Sequence, residues 1–113
     1  MEEISLMQRD IVLLPFPFSN QEGTKVRPAV VLSNNSFNRG EDVIVSAVTS
    51  NVSLKGFSVL IDAKDLELKN IRDGCCVKVE SILKIDKRLV MKQIDRLKPE
   101  CFARVRRKLD EIF

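Results

Sequence analysis

Residues 10–33 read DIVLLPFPFSNQEGTKVRPAVVLS. The run Asp10–Phe16 is apolar on both faces and rich in branched side chains, the composition of a strand covered from two sides. Pro15 and Pro17 are expected to stop it, because proline cannot donate into a ladder. The next segment, Phe18–Lys25 (FSNQEGTK), is polar and holds a glycine, as a hairpin loop does. Val26–Ser33 (VRPAVVLS) is a second apolar, branched run, with Pro28 near its start, where a missing N–H is tolerated. Two antiparallel strands joined by a polar loop therefore set the pattern for the chain.

The same rhythm continues outward. Val43–Thr49 reads as a third strand and Gly56–Asp62 (GFSVLID) as a fourth. Cys75–Leu83 and Val90–Leu97 follow, with Ile85–Arg88 as the turn between them. Asn34–Asp42 is polar, with room for one helical turn, and Ala63–Asn70 (AKDLELKN) offers a short helix. Strands recurring this closely, with turn signals between them, point to an antiparallel barrel or sandwich rather than a parallel βαβ fold. The period then changes. Phe102, Val105, Leu109 and Ile112 share one helical face, and Pro99 suits the first turn of that helix. The expected architecture is mainly β, a small antiparallel barrel with one C-terminal α-helix.

Composition narrows the rest. At 113 residues, 44% hydrophobic and 31% charged, the chain fits one globular domain, residues 1–113. Apolar runs are broken by charge well short of a membrane span, so no membrane partner is expected. MEEISLMQRD has neither the basic start nor the apolar core of a secretory signal. Three cysteines, two of them adjacent, suit a reducing cytoplasm better than a disulfide framework. Histidine is absent, which excludes His-based triads and His metal sites. No CxxC occurs either, so neither a metal nor a cofactor is expected. The net charge of +3 is unevenly spread, with nine Lys or Arg against four Asp or Glu from Lys87 onward. That surplus reads either as an electrostatic footprint for nucleic acid or an acidic partner, or as the wet face of a helix.

Three segments, RDIVLLPFPFS (9–19), VRPAVVLS (26–33) and AVTS (47–50), resemble the N-terminal half of the MazF/PemK-like toxins of bacterial toxin–antitoxin systems. GFSVLI (56–61) and VESILKIDK (79–87) are similar to later family segments, in order and spacing. The resemblance spans about residues 8 to 110. It implies an SH3-like barrel, a homodimer and a cognate antitoxin. It also implies metal-independent, sequence-specific cleavage of single-stranded RNA, leaving a 2′,3′-cyclic phosphate and a 5′-hydroxyl.

Cleavage of that kind needs a group to take the 2′-hydroxyl proton, one to offset charge on the phosphorane and one to protonate the leaving 5′-oxygen. Arg27 fits the second role, because a guanidinium presents a planar fork to two phosphate oxygens. The resemblance also implies it as the acid, and places Thr49 opposite it. The hydroxyl of Thr49 can donate to a phosphate oxygen or to the ribose. Without histidine the base falls to a carboxylate. Glu80 lies where some relatives carry an acid, and it shares a strand face with Lys78. The two read either as base and phosphate ligand or as an ordinary cross-strand ion pair. Some relatives carry a His in the first hairpin loop, where this chain has Asn20, Gln21 and Glu22. Lys25, Ser50, Asn51, Lys55 and Lys78 complete the expected RNA contacts. With no Trp or Tyr, stacking falls to Phe16, Phe18, Phe57 or arginine. The competing function is a barrel of the same fold that binds nucleic acid or protein without cleaving.

Overall fold

The computed structural model describes residues 5–17, 24–50, 56–71 and 74–113, with the side chains of residues 17 and 24 left aside. Six strands form one antiparallel sheet: β1 (Asp10–Pro17), β2 (Thr24–Val31), β3 (Asp42–Thr49), β4 (Ser58–Ile61), β5 (Cys75–Asp86) and β6 (Lys92–Arg96). Their order across the sheet is β4-β5-β3-β2-β1-β6. Two α-helices, α1 (Asn35–Asn38) and α2 (Pro99–Ile112), complete the set with 3₁₀ turns at Ala63–Asp65 and Lys87–Leu89. Among the described residues no helix is long and apolar enough to cross a membrane.

The sheet curls until its ends meet. Leu66, just beyond β4, bridges Leu97, just beyond β6, in antiparallel fashion. Glu67 N donates to Arg96 O at 2.9 Å, and Lys98 N donates to Asp65 O at 2.8 Å. This seam turns a six-stranded sheet into a small barrel. Three buried carboxylates brace it. Asp10 accepts from Arg96 Nε at 2.7 Å, and Asp65 from an Arg104 terminal nitrogen at 3.0 Å. Asp95 accepts from Leu68 N, Asn70 N and Arg96 N. Asp95 and Asp10 have no solvent exposure, so each needs these donors to offset its lost hydration.

Strands that are apolar on both faces serve two cores. Ile11, Val30, Val48, Val77 and Val79 pack on one face, with Leu97, Cys101, Phe102 and Val105. Val12, Leu14, Ala29, Val31, Val43 and Val45 pack on the other, with Leu6, Ile85 and Val90. In α2, Phe102 and Val105 are buried while Leu109 and Ile112 pack at the edge, as the helical spacing predicts. Fully burying side chains of this size is worth about 1.5–3 kcal/mol each.

Several local expectations need correction. Pro15 and Pro17 do not stop β1, which pairs with β2 as far as Pro17↔Thr24. Pairing of β1 with β6 ends at Leu13↔Lys92, so past that point β1 has one ladder to serve and tolerates missing N–H groups. Ile85–Arg88 is not the turn. β5 runs through Asp86, whose side chain caps the following 3₁₀ turn by accepting from Arg88 N. Of Ala63–Asn70 only Ala63–Asp65 is helical, because Leu66 is drawn into the closing bridge.

Candidate functional site

The β2–β3 pairs run Val31↔Val45, Val30↔Ser46 and Ala29↔Ala47 and stop there, beside Pro28. Carried on in the same register, they set Arg27 opposite Thr49. Both alternate with Ala29, Val31, Val43 and Val45, so they share the face of the second core and lie where its apolar rows run out. Across the next ladder Thr49 pairs with Cys76. Lys78 and Glu80 alternate with Cys76 on that same face, while Val77 and Val79 turn the other way into the first core. Neighbouring strands stand about 4.8 Å apart, so these side chains span the width of one or two ribonucleotides.

Arg27 and Thr49 are half-buried; Lys78 and Glu80 are exposed. The Arg27 Nε is shielded from solvent by the strands around it. An ordinary ion pair between Lys78 and Glu80 is not what holds them, since the described residues contain none between these two. Lys25 precedes Arg27 by one alternation on the same face, exposed and opposite Phe16. Ser50 follows directly on β3 and is exposed. Asn51 and Lys55 lie outside the described residues, as do Asn20, Gln21, Glu22 and Phe18. Phe16 and Phe57 are half-buried against the two cores, positions of anchors more than of free stacking platforms.

Two further residues join the site face. Ser58 pairs with Lys78 across β4–β5, which brings a second hydroxyl beside the lysine. Gly56 has φ +78° and lies against the Glu80 carboxylate, where an added Cβ would stand 3.9 Å from Oε2. There is room for a side chain there, but the left-handed backbone favours glycine. A glycine just ahead of a strand was the available signal for Gly56; Ser58 needed the register.

The basic third of the chain is largely occupied elsewhere. Arg96 pairs with Asp10, Arg104 with Asp65, Arg88 with Asp86 and Lys108 with Glu111. Lys87 Nζ donates to Asn38 O at 2.9 Å. Structural pairing and a wet helix face therefore account for most of that surplus. The stretch Val79–Ile85 is likewise used within the chain, with Val79 and Ile85 buried and Ile82 and Leu83 half-buried.

The family model of the PemK-like, MazF-like toxins of type II toxin–antitoxin systems matches residues 7–113. Among solved structures, a MazE–MazF complex from Deinococcus radiodurans is similar at 25% identity and a TM-score of 0.78, covering 96% of each chain. An endoribonuclease in complex with its cognate antitoxin, from a mycobacterial species, is similar at 16% identity and TM-score 0.76, covering 94% of this chain and 92% of that one. The Mycobacterium tuberculosis toxin MazF-mt6 is similar at 17% identity and TM-score 0.74, covering 91% and 94%. The two mycobacterial likenesses speak for the fold. No curated protein sequence gives a significant match.

Proposed function

The chain belongs to the PemK-like, MazF-like toxins of type II toxin–antitoxin systems, and from that premise we propose that it cuts single-stranded RNA in the cytoplasm, at a defined sequence and without a metal. What supports the reading is one sheet face shared by Arg27 in β2, Thr49 at the end of β3, and Lys78 and Glu80 in β5. In this reading the four face one scissile phosphate.

The guanidinium of Arg27 takes two non-bridging phosphate oxygens and offsets the charge that builds on the phosphorane. Thr49 donates its hydroxyl to the phosphate or steers the ribose. Glu80 accepts the proton of the 2′-hydroxyl, whose oxygen then attacks phosphorus, closing a 2′,3′-cyclic phosphate and expelling the 5′-oxygen. That leaving oxygen takes a proton from Arg27 or from solvent. Lys78 adds a second cation at the scissile phosphate, Lys25 and Ser50 hold neighbouring phosphates, and Asn51 and Lys55 contact the flanking nucleotides. A carboxylate is a weak base, so the rate depends on tight positioning of the phosphate.

The likeness to MazE–MazF supports a cognate antitoxin as partner, and the family supports a homodimer. The test is cleavage of a long single-stranded RNA by the wild type and by Arg27→Ala at matched RNA concentration. Loss of one such electrostatic contact typically costs about 10²–10³ in rate. Wild-type activity in Arg27→Ala overturns the assignment.

A further inference from the structure

Lys78 and Glu80 reach the site face only because β5 breaks step with β3. Ser46 stands opposite Ile82 and Val48 opposite Val77, so Lys78–Ser81 bulge against Ala47 alone. Ile85 and Leu83 pack on the same face as Val43 and Val45. Strict alternation counted back from them would bring Val79 and Val77 to that face and turn Lys78 and Glu80 into the opposite core. The bulge reverses the count. Val77 and Val79 join Val30 and Val48 beneath α2, and the two charged side chains emerge beside Thr49.

A bulge gives up ladder hydrogen bonds, and these must be replaced. On the β4 side, Val79 N donates to Phe57 O at 3.0 Å. On the β3 side a side chain contributes. The Ser46 hydroxyl donates to Lys78 O at 2.6 Å. Ser46 has no solvent exposure and sits in the run Val43–Val48, where packing alone would ask for an apolar residue. A buried hydroxyl is unfavourable unless bonded. Among the described residues, the one hydrogen bond of its hydroxyl is to the carbonyl of a site residue.

We infer that Ser46 is a positioning residue of the RNA-cleaving site: its hydroxyl pins the β5 bulge and thereby aims Lys78 and Glu80 at the scissile phosphate. The inference rests on the reading of those two as site residues. Ser46 touches no substrate and acts through the bulge.

Single-turnover cleavage at saturating RNA, corrected for folded fraction, tests it. Ser46→Ala should slow the chemical step by roughly 10–100-fold, the scale of misplacing a catalytic group, with RNA affinity changed much less. Ser46→Thr keeps the donor and should restore the rate. In a Glu80→Gln background, Ser46→Ala should add little, because both act on one group. If Ser46→Ala does not fold, Ser46→Cys, with a weak S–H donor of similar shape, should show an intermediate loss. A wild-type rate in the folded variant overturns the inference, as does a loss fully additive to that of Glu80→Gln. If Glu80→Gln and Lys78→Ala both cleave normally, the site reading itself has failed. Amide hydrogen exchange then decides the pinning: faster exchange at Val79 and Glu80 in Ser46→Ala supports it, and unchanged exchange overturns it.

Discussion

Replacing Arg96 by Met removes the cation facing Asp10 while keeping most of the side chain's bulk. Asp10 opens β1 with no solvent exposure; its Oδ1 accepts from Arg96 Nε at 2.7 Å and its Oδ2 from Met7 N at 2.9 Å. In Arg96→Met that carboxylate keeps one backbone donor and loses its counter-charge. Breaking a buried pair from one side typically costs about 3–5 kcal/mol. The Arg96 side chain is 29% exposed, so water screens the pair from one direction and the lower end, about 3 kcal/mol, applies. With an unfolding entropy of about 2.1 cal/mol/K per residue over 113 residues, that loss lowers Tm by roughly 13 °C. It is a large part of a domain's typical total of about 5–15 kcal/mol. Urea and thermal unfolding should be followed by circular dichroism for the wild type, Arg96→Met and Arg96→Met/Asp10→Asn. The double variant should regain much of the loss, since it no longer buries an uncompensated charge. A loss under about 1 kcal/mol, or a double variant no better than the single one, would refute the reasoning.

Lys69 adopts φ 58°, where a side chain costs about 1–2 kcal/mol, so Lys69→Gly should leave stability unchanged or raise it despite glycine's entropy. A drop beyond about 1 kcal/mol in urea midpoint analysis would contradict this. The Asp86 carboxyl is pulled from 3.8 to about 2, first by the side-chain hydrogen bond from Arg88. Its stabilising contribution is therefore present above the ordinary value and is lost as pH falls through about 2; Arg88→Ala should return the NMR titration of Asp86 toward 3.8. Burial raises the Cys101 thiol above its usual range, so native protein at neutral pH should resist alkylation there until unfolded. Light scattering should give twice the mass of one chain at micromolar concentration, and a mass of one chain would reject the homodimer.

Much of the fold was legible because strands buried on two faces need continuous branched apolar runs, and a helix needs a different period. Val43–Thr49 and the face Phe102–Ile112 follow those rules with no help from distant residues. What escaped depends on partners. That Pro15 continues a strand follows from where β6 leaves β1, which no local pattern records. The pairs Arg96–Asp10 and Arg104–Asp65 join residues far apart in sequence, so the basic third looked more available than it is. In the candidate site, the shared face of Lys78 and Glu80 was readable from alternation. Which face that is was not, because it is set by a bulge visible only against β3. Ser46 carried a faint signal, a hydroxyl among valines, with no clue to its acceptor.

Incubation with a long single-stranded RNA in excess EDTA, followed by end-group analysis of the fragments, tests the central claim most directly. The account predicts discrete cuts with 2′,3′-cyclic phosphate and 5′-hydroxyl ends, lost in Arg27→Ala and slowed in Glu80→Gln. Intact RNA in EDTA with cleavage restored by magnesium, or fragments bearing 5′-phosphates, would contradict it.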